Sequence, residues 1–280
     1  MNTALTQEQI DQYQRDGALI YRNFMSGEEV DALLAEISRA VEELGSDRVA
    51  KNAEFGKTDG KPDDKKSLET DYYEGTFLQR VNLWKLSEAI KRIFLGPELG
   101  EMVTRLAGVS GMRVWHDQTL QKLPWANPTA WHLDNPYWSF SSRDAISIWI
   151  ALDDATEANG CMCYLPGTHK TAEFERNVPI SPSIGKLFKA YPEWSSMEPV
   201  VGTMKRGDCG FHNGMTAHGA GANMTPGYRR AMTCGYMPDG STFNGHKNIL
   251  PTDYYESLTI GDVLDNDELN PLVWPRTDAP

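Results

Sequence analysis

The chain contains six histidines, and two of them sit where metal chemistry is possible. His132 and Asp134 form an H-x-D pair. On an extended strand, side chains two apart share a face, so an imidazole and a carboxylate converge there. His218 follows 84 positions beyond Asp134. Two imidazoles and one carboxylate on one face of an octahedral metal make the facial triad of non-haem Fe(II) oxygenases, which leaves three positions open. H-x-D alone is a weak signal, because it also describes a histidine hydrogen-bonded to a neighbouring carboxylate near a turn. Eleven residues after His218 comes Arg229, whose guanidinium could pair bidentately with the acid end of a co-substrate.

These residues must be positioned by the elements around them. Thr6-x-x-Gln9 and Ser26-x-x-Glu29 are capping-box patterns, each opening a helix, with a strand at Ala18 to Tyr21 between them. Val30, Leu33, Leu34, Ile37, Val41 and Leu44 recur at helical spacing. A helical pair spans Ser87 to Leu106, interrupted at Gly96-Pro97. Residues 46–75 are charged and without sustained period, and read as a flexible loop that is either a flap over a site or a surface excursion. Beyond Gly111, runs rich in β-branched and aromatic residues alternate with turn signals: Met112 to Leu123, Ala145 to Leu152, Met162 to Leu165, Gly210 to His218 and Tyr228 to Tyr236. Pro166-Gly167-Thr168-His169 and Gly207-Asp208 are turns that bracket strands between the candidate ligands. The pattern predicts a mainly β fold with flanking helices, an antiparallel barrel or sandwich. It forms a single domain over residues 1–280: a helical portion to 110, a β core over 111–245, and an acidic tail over 246–280 that wraps the surface.

Composition narrows the function. The net charge is −12 and the pI about 5.0, so there is no electrostatic footprint for nucleic acid. No run approaches the length of a membrane span, and the first residues lack the marks of a signal peptide. The four cysteines form no C-x-x-C pair and read as reduced thiols, mostly buried. A cytoplasmic protein with a small-molecule substrate, binding neither nucleic acid nor membrane, is the expectation; the oligomeric state is open.

The segments "DGALIYRNF", "WHLDNPYW", "SIWIALDDATEANGCMCYLPGTHK", "GDCGFHNGMTAHGAGANMTPGYRRA" and "GDVLDNDELNPLVW" together resemble the phytanoyl-CoA dioxygenase family of Fe(II)- and 2-oxoglutarate-dependent oxygenases. The resemblance implies a double-stranded β-helix, a cupin-like jelly roll. It implies Fe(II) held by His132, Asp134 and His218, with 2-oxoglutarate and O₂ as co-substrates and Arg229 on the distal carboxylate of 2-oxoglutarate. By the same likeness Trp149, Gln118 and Arg80 are further co-substrate contacts. Two positions depart from the family pattern. Leu133 replaces a polar residue and should point away from the metal; Ala220 replaces a serine and removes a hydroxyl contact. Related halogenases replace the carboxylate by a small residue to admit chloride, so Asp134 argues against halogenation.

The implied reaction is oxidative decarboxylation of 2-oxoglutarate to succinate and CO₂ with hydroxylation of a small metabolite or natural-product intermediate. Desaturation, cyclisation or epimerisation are open to the same substrate radical. His116 and His212 are candidates for orienting the site, His169 reads as structural, and His246 as exposed. Trp115, Trp131, Tyr137, Trp138 and Phe140 either wall a pocket or fill the barrel. Two other readings stay open: a metal-binding jelly roll without oxygenase activity, as a sensor or degenerate enzyme, and a cupin-like isomerase, which would leave Arg229 without a task.

Overall fold

The computed structural model describes residues 1–50 and 75–275. Both capping boxes form: the Thr6 and Ser26 side chains accept the N3 amides, and Gln9 and Glu29 reach back to the cap amides. They open α1 (Gln7–Asp16) and α2 (Gly27–Leu44). The predicted pair follows as α3 (Glu88–Phe94) and α4 (Pro97–Ala107), separated because Pro97 opens a helix rather than continuing one. Short α5 (Leu187–Ala190) and α6 (Thr252–Ser257) lie later in the chain.

The strands are β1 (Ala18–Tyr21), β2 (Phe77–Val81), β3 (Met112–Lys122), β4 (Thr129–His132), β5 (Ile146–Ala151), β6 (Met162–Tyr164), β7 (Val200–Gly202), β8 (Cys209–Asn213), β9 (His218–Ala220), β10 (Arg229–Pro238) and β11 (Leu272–Trp274). They make two antiparallel sheets. The larger has the order β1-β8-β5-β10-β3-β11, with β2 also pairing β3; the smaller has the order β4-β9-β6-β7. Both sheets contribute walls to one interior cavity, which is the arrangement of a jelly roll. Strand alternation divides the larger sheet cleanly. Ile146, Ile148, Ile150, Met232, Cys234 and Tyr236 face outward into the main core, together with Val30, Leu33 and Ile37 of α2 and Leu99, Val103 and Leu106 of α4. Ser147, Trp149, Arg229 and Thr233 face inward to the cavity.

The structure corrects three expectations. Residues 77–81, not read as a strand, form β2, because they pair with the inner half of β3. The run Gly210 to His218 is not one strand: a turn at Gly214 sends β8 into the large sheet and β9 into the small one. The acidic tail does more than wrap the surface. Its β11 pairs with β3, Val273 is fully buried, and Arg113 holds the tail through Asp267 at 2.6 Å and the Asn270 carbonyl at 3.0 Å. Of the loop expected over 46–75, residues 51–74 lie outside the described residues. Just before them Val49 bridges Val81, and the Ala50 amide donates to the Val81 carbonyl at 3.0 Å. Among the described residues, no helix is long and apolar enough to cross a membrane.

Candidate active site

The smaller sheet brings the histidines together. β4 pairs with β9, and the register sets His132 directly opposite His218, with ring centroids 4.2 Å apart. Asp134 is not on the strand. It lies just past the end of β4, in helical backbone at the start of the turn Asn135–Tyr137. Its amide donates to the Gly214 carbonyl at 3.0 Å, which pins the bend. Leu133 is turned away and fully buried beside Leu165, Leu187 and Met215, as strand alternation requires.

The ring orientations are fixed. His132 Nδ1 lies 2.8 Å from the Ala130 carbonyl, and His218 Nδ1 lies 2.9 Å from the Thr216 carbonyl. A carbonyl only accepts, so both Nδ1 atoms carry protons and both Nε2 lone pairs point inward. Those Nε2 atoms are 3.5 and 3.6 Å from Asp134 Oδ1. The three ligand atoms lie within 4.8 Å of one another, a donor set that fits an Fe(II) facial triad.

The second carboxylate oxygen is occupied. Across β5 and β8, Ser147 and His212 are register partners, and both reach Asp134 Oδ2, Ser147 Oγ at 3.2 Å and His212 Nε2 at 3.0 Å. This leaves Oδ1 to the imidazole pair and orients the carboxylate as outer-shell partners do. Burial, reinforced by His132 and His212, drives His218 well below an ordinary imidazole, so it is neutral and able to ligate. Replacing His212 by Phe keeps the ring volume and removes the bond to Oδ2. Fe(II) affinity is expected to fall by about 10- to 100-fold in a metal titration; unchanged affinity would contradict the role.

Beyond the triad lies a cavity of about 440 Å³. Arg229 lines it while almost fully buried, and its Nε and Nη1 have no hydrogen-bond partner among the described residues. Burial pulls its guanidinium down to about 10. Trp149 lies beneath it, ring centroid 5.0 Å from the guanidinium carbon, and the buried Trp149 Nε1 is likewise unpartnered. So is the hydroxyl of Thr129, which is paired in register with Ala220. Unpartnered donors on three buried side chains are costly unless an acceptor arrives, and a carboxylate-bearing co-substrate supplies one.

The other expected contacts divide. Gln118 lines the cavity and accepts a hydrogen bond from Gln79. Arg80 is not brought to it. Alternation on β2 sends Phe77, Gln79 and Val81 inward, and the Arg80 guanidinium bonds the carbonyls of Gln79 and Gly45 instead. Of the five aromatics, Tyr137 and Trp138 line the cavity, Trp115 and Phe140 pack together with centroids 5.3 Å apart, and Trp131 packs on Phe188. Trp138 stands close over β10 at Gly235, where a Cβ would come within 3.2 Å of its ring. His116 also lines the cavity, and burial pushes it down to about 4, so it is neutral there. His169 contacts the Gln14 carbonyl at 3.3 Å and does not line the cavity, and His246 is exposed. Thr129, Ser147, Gln79, Ile180, Asn248 and Ile249 complete the site and were not legible as site residues.

A jelly roll whose two sheets enclose a His-Asp-His triad and a buried arginine with no ion-pair partner among the described residues defines a non-haem Fe(II)- and 2-oxoglutarate-dependent oxygenase. Residues 13–231 match the model of the phytanoyl-CoA dioxygenase (PhyH) family, and the chain belongs to that family. It is 28% identical over 242 residues to the peroxisomal phytanoyl-CoA dioxygenase of Mus musculus, covering 83% of this chain and 68% of that one. It is 28% identical over 235 residues to a probable alpha-ketoglutarate-dependent hypophosphite dioxygenase of Stutzerimonas stutzeri, covering 82% and 77%. Among solved structures it is similar to SnoK, a non-heme alpha ketoglutarate dependent carbocyclase from nogalamycin biosynthesis, with a TM-score of 0.76, 25% identity and 96% of each chain covered. The enzyme is an iron- and 2-oxoglutarate-dependent dioxygenase.

Proposed function

We propose that this enzyme hydroxylates a small, largely apolar molecule, with iron held by His132 Nε2, Asp134 Oδ1 and His218 Nε2 and 2-oxoglutarate anchored by Arg229. The observation that carries the reading is the buried Arg229 guanidinium with two unpartnered nitrogens in the cavity that the triad lines. When bound, iron and 2-oxoglutarate supply with O₂ the oxidising equivalents that hydroxylate a C–H bond while the co-substrate becomes succinate and CO₂.

The chain's own groups position and exclude. Arg229 clamps the distal carboxylate, and the Trp149 Nε1–H and the Thr129 hydroxyl are donors that fix the co-substrate's orientation. Thr129 thereby replaces the hydroxyl missing at Ala220, its register partner. Ser147 and His212 hold the ligand carboxylate in one orientation. Tyr137, Trp138, Ile180 and Ile249 offer the substrate an apolar wall, with the His116 imidazole and Asn248 as its polar contacts. Asp134, committed to the metal, is the sole carboxylate among the described cavity-lining residues, and Arg48 lines the same cavity, which favours a neutral or anionic substrate over a cationic one. Four free thiols fit a reducing compartment such as the cytoplasm.

The test is substrate-free turnover. The iron-loaded protein should slowly convert 2-oxoglutarate to succinate in an O₂-dependent reaction that chelation abolishes, and a true substrate should accelerate it. Succinate formation indifferent to iron or O₂ would overturn the reading.

A further inference from the structure

Behind the end of the cavity that holds Arg229, across the Phe77 ring, lies a second buried basic side chain. Lys122 is the last residue of β3, level in register with Phe77 of β2 on one side and with Arg229 of β10 on the other. It is fully buried, and its Nζ donates to the carbonyls of Asn127 at 3.0 Å and Gly221 at 2.6 Å. Nζ lies 5.1 Å from the centre of the Phe77 ring, and the Arg229 guanidinium carbon lies 5.9 Å from the same centre. The ring is part of the cavity wall, with the two cations packed against it.

The ionisable groups of the elements around that end are Arg229, Cys161, Cys163, Tyr164, Asp153 and Glu157. Asp153 is engaged by Arg230 at 2.6 Å, and Glu157 is exposed. No ion pair to Lys122 or Arg229 is formed among the described residues. Two adjacent buried cations without an anion repel each other, and only one of them can shed its charge. Arginine keeps its proton, whereas a lysine amine loses its own readily when buried. Two N–H bonds suffice for the two carbonyls that Lys122 serves, so the neutral amine keeps every contact of the ammonium. Burial, with Arg229 adding to it, pushes Lys122 down to about 7. A carboxylate arriving on Arg229 cancels the Arg229 contribution and sets an anion near the buried amine, both of which draw the proton back.

We propose that Lys122 is a positioning residue of the 2-oxoglutarate site, gaining a proton as the distal carboxylate docks on Arg229, so that co-substrate binding carries proton uptake. The proposal rests on the reading of Arg229 given above. Linkage sets the sign. Above pH 7 the free protein holds Lys122 as the amine and the complex holds it as the ammonium, so affinity for 2-oxoglutarate falls as pH rises, by at most about tenfold per pH unit. Below pH 7 both states are protonated and the dependence flattens.

The experiment is anaerobic calorimetry of 2-oxoglutarate binding to the Fe(II)-loaded protein at pH 8, in buffers of different ionisation enthalpy. Wild type should take up a large fraction of one proton, and Lys122→Met should take up none. Lys122→Arg, permanently charged, should bind with an affinity nearly independent of pH between 7 and 8.5. No uptake in wild type, or equal uptake in either variant, overturns the proposal; if the Met variant does not fold, the wild-type count and the Arg variant decide. Arg229→Met separates the two readings. Unchanged 2-oxoglutarate affinity in that variant would sink the assignment of Arg229. Weakened affinity there, with no proton uptake in wild type, would sink the role of Lys122 alone.

Discussion

Asp134→Ala is expected to lower hydroxylation and coupled succinate formation by more than about a hundredfold, with Fe(II) binding lost at concentrations that saturate the wild type. The magnitude follows from its place: outer-shell changes at metal sites cost about 10- to 100-fold, and loss of a ligand costs more. Asp134 Oδ1 is the one anionic atom that faces both His132 Nε2 and His218 Nε2, and without it two neutral imidazoles remain. The backbone need not move, because the bend at position 134 is held by the amide-to-Gly214 bond rather than by the side chain. Folding is therefore expected to survive, and near-wild-type thermal melting beside lost metal content is the signature to look for. Normal turnover in this variant would remove the triad from consideration.

Arg229→Met should act on the co-substrate instead. The requirement for 2-oxoglutarate is expected to rise by about thirtyfold or more, since truncating one partner of a buried charge pair costs about 2–5 kcal/mol. Maximal rate at saturation should fall much less. The same variant should be at least as stable as wild type without ligands, because Met fills similar volume and removes a buried charge that has no ion-pair partner among the described residues. Weaker co-substrate binding combined with retained or raised stability is an outcome that a merely structural arginine would not give. An unchanged requirement would contradict the assignment. The neighbouring Arg230 does not offer a ready substitute, as Asp153 holds it at 2.6 Å and 2.9 Å.

What could be read from the sequence was what local spacing encodes. His132 and Asp134 announce themselves two residues apart, Arg229 follows His218 at a fixed interval, and the capping residues Thr6 and Ser26 mark their helices. What could not be read depends on register between distant strands. Ser147 and His212 meet at Asp134 only because β5 pairs with β8 in one particular alignment, and Thr129 faces Ala220 for the same reason. A bulge adds to this. Opposite Gly235 and Tyr236, β3 carries one extra residue, so Met112 and Val114 point outward while His116 and Gln118 point inward, although all four have the same parity. Trp115, at the bulge, packs with Trp138 and Phe140 instead, and His116 lines the cavity. Arg80 is misplaced by spacing for a related reason: only the pairing of β2 with β3 sets Gln79, and not Arg80, facing inward.

The central claim is that His132, Asp134 and His218 hold iron where 2-oxoglutarate can chelate it while Arg229 holds its other end. Anaerobic titration of the apo-protein with Fe(II) and 2-oxoglutarate, followed by visible absorption, tests this most directly. A metal-to-ligand charge-transfer band that appears in wild type and is absent from His132→Ala is the predicted result. Folded wild-type protein that develops no such band would contradict the account.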